Sequence, residues 1–434
     1  MSEPESQYAM QNVADSARLT SAKARLRSTN TIRTRARALL ARARRGESAW
    51  FTVEDGALDA TAALVADLTR ARYPDLKIPY HSRWRHFEAG GVDRLAVFNQ
   101  ALADADPAGL AGPAARARAQ IDLVLVSVLL DAGAGADWGY LEPASTHHAA
   151  ERFSRSEGLG VASFHAFMAG LFSSDPAAPL QADALGLQQV TAERLARAFQ
   201  VTPANPLVGL EGRAALLRSL GAALQPQPER FGAQGRPGGL FDLLTLGGNT
   251  LIVHDLLTVL LVALAPIWPA QNTLDGHALG DCWRYPAVRS DTADDLTDGW
   301  MPFHKLSQWL TYSLLEPFAW AGVGIEGLDA LTGLPEYRNG GLFLDGGVLA
   351  LKDPAQAARL HQAGDELIVE WRALTVALLD ELAPRVRQRL GLTEDQMPLA
   401  CVLEGGTWAA GRRLAQQLRQ GLPPLNIQSD GTVF

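Results

Sequence analysis

Two charged side chains sit in surroundings that do not ordinarily hold them. In "MPFHKLSQWLTYSLLEP", residues 301–317, Lys305, Trp309 and Tyr312 fall on one face of a helical pattern at i, i+4 and i+7. Burying an ammonium among aromatic rings costs roughly several kcal/mol unless a carboxylate compensates it. In "LTGLPEYRNGGLFLDGGVLAL", residues 331–351, Glu336, Tyr337 and Arg338 stand between Pro335 and the glycine pair at 340 and 341. That punctuation predicts a loop or strand edge rather than a helix interior. Glu336 is a suitable partner for Lys305, and a fixed carboxylate can stabilise developing positive charge or activate a water molecule.

A second cluster offers a different chemistry. "IPYHSRWRHFEAGG", residues 78–91, packs His81, Arg83, Trp84, Arg85 and His86 between Pro79 and a glycine pair. Arginine forks bind phosphate or carboxylate through paired hydrogen bonds, and a tryptophan among them can cover a sugar or base. The loop therefore reads either as an anion site or as a surface loop with incidental arginines. His147 and His148, with Glu151 beyond them, have no obvious third metal ligand, and adjacent histidines point apart on any regular element; a solvated helix start is the better reading. No metal and no cofactor are expected.

The sequence has no GxSxG, HExxH or GxxxxGK[ST] pattern, which removes support for serine-hydrolase, zincin and P-loop chemistry. A GxGxxG pattern at Gly322, Gly324 and Gly327 follows a helical stretch instead of a strand, so it carries no dinucleotide reading.

Helices must do most of the positioning. Apolar residues recur at helical spacing in "TIRTRARALLARARRG", "ALDATAALVADLTRARY", "ARAQIDLVLVSVLLDAG" and "DELIVEWRALTVALLDELAPRVRQRLG". Strand candidates are short: "GGLFLDGGVLAL", "LACVLEGG" and the tail "PLNIQSDGTVF", whose apolar end is expected to dock as a strand or hairpin with its turn at Asp430. The fold class expected is mainly α with a few short β-strands: residues 1–27 a disordered lead-in, residues 28–434 a single compact domain, and residues 225–239 a long mobile loop.

A formal charge of −8 over 434 residues argues against a nucleic-acid partner, which would want a basic face, and leaves room for a small anionic ligand. Cys282 and Cys401 belong to no ligand pattern, which points to a reducing, cytoplasmic setting. The apolar run at 251–268 contains His254 and Asp255 and reads as a core helix rather than a membrane span. The expected partner is thus a small molecule, with no nucleic acid and no membrane, and the oligomeric state is left open.

Four stretches in order, "IPYHSRWRHFEAGGVDR", "MPFHKLSQWLTYSLLEP", "LTGLPEYRNGGLFLDGGVL" and "PPLNIQSDGTVF", resemble the uracil catabolism protein four family of fungi and bacteria, and the likeness spans nearly the whole chain from about residue 28. The resemblance implies a place in a pyrimidine-degradation route in which uracil becomes its ribonucleotide, the ring opens, and a ribosylurea-type intermediate is split to give urea. More distantly, the Lys-Gln spacing of "FHKLSQ" and the acid-Tyr-Arg triplet are similar to the queuosine-nucleotide N-glycosylase (queuosine salvage) family, a relative of helical DNA glycosylases. That likeness implies a helical DNA-glycosylase-like fold. It places Lys305 at that family's helix lysine and Glu336 at its catalytic aspartate, with a side chain longer by a methylene.

On this reading the chain is an N-glycoside hydrolase of ribosylurea or its 5′-phosphate. Glu336 and Lys305 are catalytic, and His81, Arg83, Trp84, Arg85, His86, Trp309, Tyr337, Arg338 and Asp430 bind a ribosyl or phosphoribosyl substrate, the arginines taking a 5′-phosphate. The alternative is a non-catalytic binding or regulatory protein for a pyrimidine-derived ligand, which requires no special role for Glu336.

Overall fold

The computed structural model describes residues 16–106, 112–144, 149–268, 272–290 and 295–428. Their secondary structure is mainly α, and the strands among them form two-stranded pairs. The chain divides into two compact units. The first takes in residues through Pro79, Pro269–Lys305 and Asp329–Gln428; the second takes in Tyr80–Trp268 and Leu306–Leu328.

The first unit is organised by the helix Glu366–Leu390, in which every residue from Leu367 to Leu379 is buried, Glu370 and Arg372 included. A helix buried on all faces is a core element, and its neighbours supply amphipathic faces to cover it. The arginine-rich helix Thr29–Arg44 and the helix Leu58–Arg72 do so, the former turning Ile32, Leu39 and Leu40 inward as their spacing predicts. Gly391, in the left-handed region at φ 72°, ends the long helix. Short strands tie distant segments: Phe51–Val53 runs antiparallel to Leu349–Leu351, Cys282–Arg284 antiparallel to Trp300–Pro302, and Leu360–His361 parallel to Asn426–Ile427.

The second unit is built around the helices Gly112–Leu129 and Arg155–Met168, together with most of the helix Lys305–Trp320. From Leu306 to Phe318 this last helix is buried at every position. The apolar run at 251–268 forms the helix Val253–Ala263 and a short turn. Among the described residues no helix is long and apolar enough to cross a membrane.

Four expectations are corrected. Residues 340–345 belong to the helix Tyr337–Asp345, not to a strand; only Leu349–Leu351 is extended. Glu336 caps this helix by accepting the amides of Arg338 and Asn339, and Leu342 and Phe343 are both fully buried within it. "LACVLEGG" is helical, with a π-turn at Leu403–Thr407, because Gly405 and Gly406 let the chain approach the helix Leu58–Arg72 more closely than side chains would. Residues 225–239 contain the short helix Pro228–Phe231, and Arg236 is anchored to the buried carboxylate of Asp122 at 2.6 Å. Residues 16–26 are helical, with Ala22 and Leu26 packed against Leu274, Leu279, Cys282 and Trp300.

Close helix contact also sets the place of the Glu336 helix. Gly340 lies against Trp371, where a Cβ would come within 2.7 Å of the ring, and the Trp371 indole donates to the Gly340 carbonyl at 3.1 Å. Gly411, on the helix Trp408–Arg419, faces the Arg338 carbonyl so closely that a Cβ there would overlap it. Gly411→Ala is therefore expected to destabilise the fold by about 1–3 kcal/mol, the usual cost of overpacking, and to lower Tm in differential scanning calorimetry. An unchanged Tm would show that the two helices separate freely.

Candidate functional site

The segments that carry Lys305 and Glu336 are joined through one buried ion pair. Asp281 lies just ahead of the strand Cys282–Arg284, and its carboxylate receives Nη1 and Nη2 of Arg372 at 2.7 and 2.8 Å. The Trp283 indole donates to Oδ1 at 2.7 Å and the Lys305 amide to Oδ2 at 2.9 Å. The Asp281 carbonyl meanwhile accepts the amides of Phe303 and His304 at 2.9 and 3.1 Å. Asp281 thus holds the head of the Lys305 helix through both its main chain and its side chain.

His304, immediately before Lys305, has φ 49°, a left-handed conformation that costs a residue with a Cβ about 1–2 kcal/mol. Its Nε2 lies 2.9 Å from the Leu26 carbonyl oxygen, which helps to keep it there. Burial pushes the Asp281 carboxyl up, but the charge and hydrogen bonds of Arg372, with those from the Lys305 amide and the Trp283 indole, outweigh it and hold the group well below the usual carboxylate range.

Arg372 has a third commitment. Its Nε donates to the carbonyl of Pro335 at 3.2 Å, directly before Glu336. Glu336 then accepts the amides of Arg338 at 2.7 Å and Asn339 at 2.6 Å, so its carboxylate is fixed at the N-terminus of the helix Tyr337–Asp345. Negative charge is favoured there by the helix dipole. Lys305, Glu336 and Tyr337 are half-buried. Arg338 is buried over the Tyr337 ring at 4.7 Å and donates to the Gly421 carbonyl at 3.2 Å, which makes it a tie to the end of the helix Trp408–Arg419.

The arginine loop belongs to the second unit and forms short helical turns over Arg83–Gly91. Arg83 is fully buried; it pairs with Asp131 at 3.0 Å and donates to Ser127 Oγ at 2.7 Å and the Ser156 carbonyl at 3.2 Å. Arg85 bridges Glu316 at 2.9 Å and Glu88 at 2.7 Å. Trp84 is buried edge to face against Phe87 and Trp320, with its indole donating to the Ser313 carbonyl at 2.9 Å. His81 is buried, and the His86 ring meets the Trp309 ring edge to face at 5.7 Å. Burial first, then the Arg83 cation, pushes the His86 imidazole down to about 4, so it is neutral at physiological pH.

Of the side chains singled out from the sequence, Lys305, Glu336, Tyr337 and Arg338 thus lie in the first unit and His81, Arg83, Trp84, Arg85, His86 and Trp309 in the second. Asp430, His147 and His148 lie outside the described residues. Sequence reasoning missed Asp281 and Arg372. Arg372 did leave a trace, as an arginine inside the otherwise apolar "LIVEWRALTVALL", but its partner is 91 residues away and carries no local motif. Among the described residues no three His, Cys, Asp or Glu side chains gather into a metal-binding group.

A family model described as "Protein of unknown function (DUF1688)" matches residues 25–434. The chain is 41% identical to Protein urg3 of Schizosaccharomyces pombe over 418 residues, covering 95% of this chain and 98% of that protein. It is 40% identical to Uracil catabolism protein 4 of Lachancea kluyveri over 386 residues, covering 82% of this chain and 85% of that one.

Asp281→Asn leaves the Arg372 charge buried without its counter-charge and is expected to cost about 3–5 kcal/mol at pH 7. A carboxylate with a lowered folded-state pKa contributes stability that is complete above the unfolded value, near pH 4, and is lost as pH falls through the folded value. Urea denaturation from pH 7 to pH 2 should therefore show the wild-type advantage over Asp281→Asn shrinking toward acid. A difference independent of pH would remove the ion pair as its source.

Proposed function

The chain belongs to the family described as protein of unknown function (DUF1688), and from that premise we propose that it acts in uracil degradation as an N-glycoside hydrolase, cleaving ribosylurea or its 5′-phosphate to urea and ribose or ribose phosphate. The name of a relative, Uracil catabolism protein 4, supports the pathway. The observation that carries the reaction is Glu336, a carboxylate held by two backbone amides and tied through Pro335, Arg372 and Asp281 to the head of the Lys305 helix.

Breaking the bond between the anomeric carbon and nitrogen sends the electron pair to the departing urea nitrogen, which takes up a proton, and leaves positive charge on the sugar. Water supplies the hydroxyl that replaces the nitrogen. Glu336 either stabilises the cationic sugar or takes the proton of the attacking water, and its rigid mount means that little reorganisation is needed as charge develops. Lys305 supplies the cation that orients the carboxylate. Tyr337 and Arg338 frame the helix that Glu336 caps.

The arginine loop takes a different role from the one its sequence suggested. Arg83 and Arg85 are already matched by Asp131, Glu316 and Glu88, so a 5′-phosphate would have to displace existing partners. Arg85→Ala is accordingly expected to affect KM for ribosylurea and for its 5′-phosphate alike. A selective rise of tenfold or more for the phosphorylated form, about 1.4 kcal/mol, would restore the phosphate assignment.

A reading as a non-catalytic ligand-binding protein draws on one observation: capping alone gives Glu336 a structural role. Urea release from purified protein with ribosylurea or its 5′-phosphate separates the two. Hydrolysis by wild type, with a loss of roughly 10²–10⁴-fold in kcat in Glu336→Gln and retained substrate binding, is the expected outcome. No urea from wild type, or full turnover by Glu336→Gln, would overturn the proposal.

A further inference from the structure

Three polar atoms on neighbouring side chains of the second unit are buried without a hydrogen-bond partner: Nη2 of Arg83, Nδ1 of His86 and Nε1 of Trp309. The His86 and Trp309 rings touch at 5.7 Å, and the Arg83 guanidinium carbon is 5.8 Å from the Trp309 ring centre. A single buried donor or acceptor left unmade costs about 1–3 kcal/mol, and native interiors seldom concentrate several in one place without something to receive them.

Gly160 brings a helix close to the same point. It lies within the helix Arg155–Met168, where glycine costs about 1 kcal/mol relative to alanine. A Cβ there would sit 3.0 Å from the His86 Cβ and 3.5 Å from the unpartnered Arg83 Nη2. The missing methyl group lets the helix pack closely against His86 and Arg83.

Charge selects the kind of ligand. The Arg83 cation is met by Asp131, and Glu157 adds further negative potential, so an arriving anion would face two carboxylates and a guanidinium already paired. A neutral group meets no such barrier. The three atoms amount to two N–H donors and, in a neutral imidazole protonated at Nε2, one acceptor. A carbonyl oxygen has two lone pairs for the donors, and an N–H beside it satisfies the acceptor.

We propose that Arg83 Nη2, Trp309 Nε1 and His86 Nδ1 form a binding subsite for a ureide edge, a carbonyl flanked by an N–H, as found in a substituted urea or a pyrimidinedione ring. The proposal concerns binding in the second unit and holds whether or not the chain hydrolyses anything.

Indole N–H correlations in an NMR spectrum of the ¹⁵N-labelled protein test it, since the ten tryptophans give a sparse region and Trp309→Phe identifies the Trp309 signal. Titration with N-methylurea or uracil is expected to move that signal saturably, while inorganic phosphate at the same concentrations leaves it in place. Gly160→Ala, which keeps all three polar groups but crowds His86 and Arg83, is expected to weaken the affinity at least tenfold. Glu336→Gln is expected to bind the same probes as wild type does, which separates this result from any outcome for turnover. A signal moved by phosphate, a signal moved by none of the probes, or unchanged affinity in Gly160→Ala would each overturn the subsite.

Discussion

The guanidinium of Arg372 is the constraint on which the first unit depends. Removing a cation from water costs several kcal/mol, and only a closely matched set of partners recovers it. Asp281 supplies one oxygen to each Nη of the fork, the Pro335 carbonyl takes the remaining Nε–H, and Phe303 lies against the cation at 4.0 Å. Each partner belongs to a different stretch of chain, so meeting the charge also joins those stretches. Lys305 begins its helix where Asp281 accepts its amide, and Glu336 begins its own directly after Pro335. The core helix Glu366–Leu390 thereby orients both segments while remaining a packing element.

In the proposed reaction, capping and chemistry share one side chain, that of Glu336. Two backbone amides hold its oxygens, and Trp371, next to Arg372, grips the same helix at Gly340. Main-chain bonds fix the carboxylate at the head of its helix. A charge that must be in position before the reaction begins benefits from such a mount.

Local signals made some of this visible in the sequence. Helical spacing marked the long helices, and Pro335 with the glycines placed Glu336 outside a helix interior, where it sits as a cap. The same glycines misled the reading of residues 340–345, because Gly340 serves contact with Trp371 and Gly341 faces Pro424, and neither makes a turn. The partnership of Asp281 with Arg372 lay outside any window, since spacing patterns record a residue's own element and not the distant chain that meets it. The partners of the arginine loop were hidden for the same reason: its density of positive charge was plain, and the carboxylates of Asp131 and Glu316 that answer it lie far away in sequence.

The central claim is that Arg372 positions Glu336 and Lys305 without touching substrate. Steady-state kinetics of Arg372→Lys on ribosylurea test it most directly, because lysine keeps the charge and loses the planar fork that reaches Asp281 and Pro335 together. With folding verified by circular dichroism, kcat is predicted to fall by about a hundredfold while KM stays within about threefold. An Arg372→Lys protein with wild-type kcat would contradict the account.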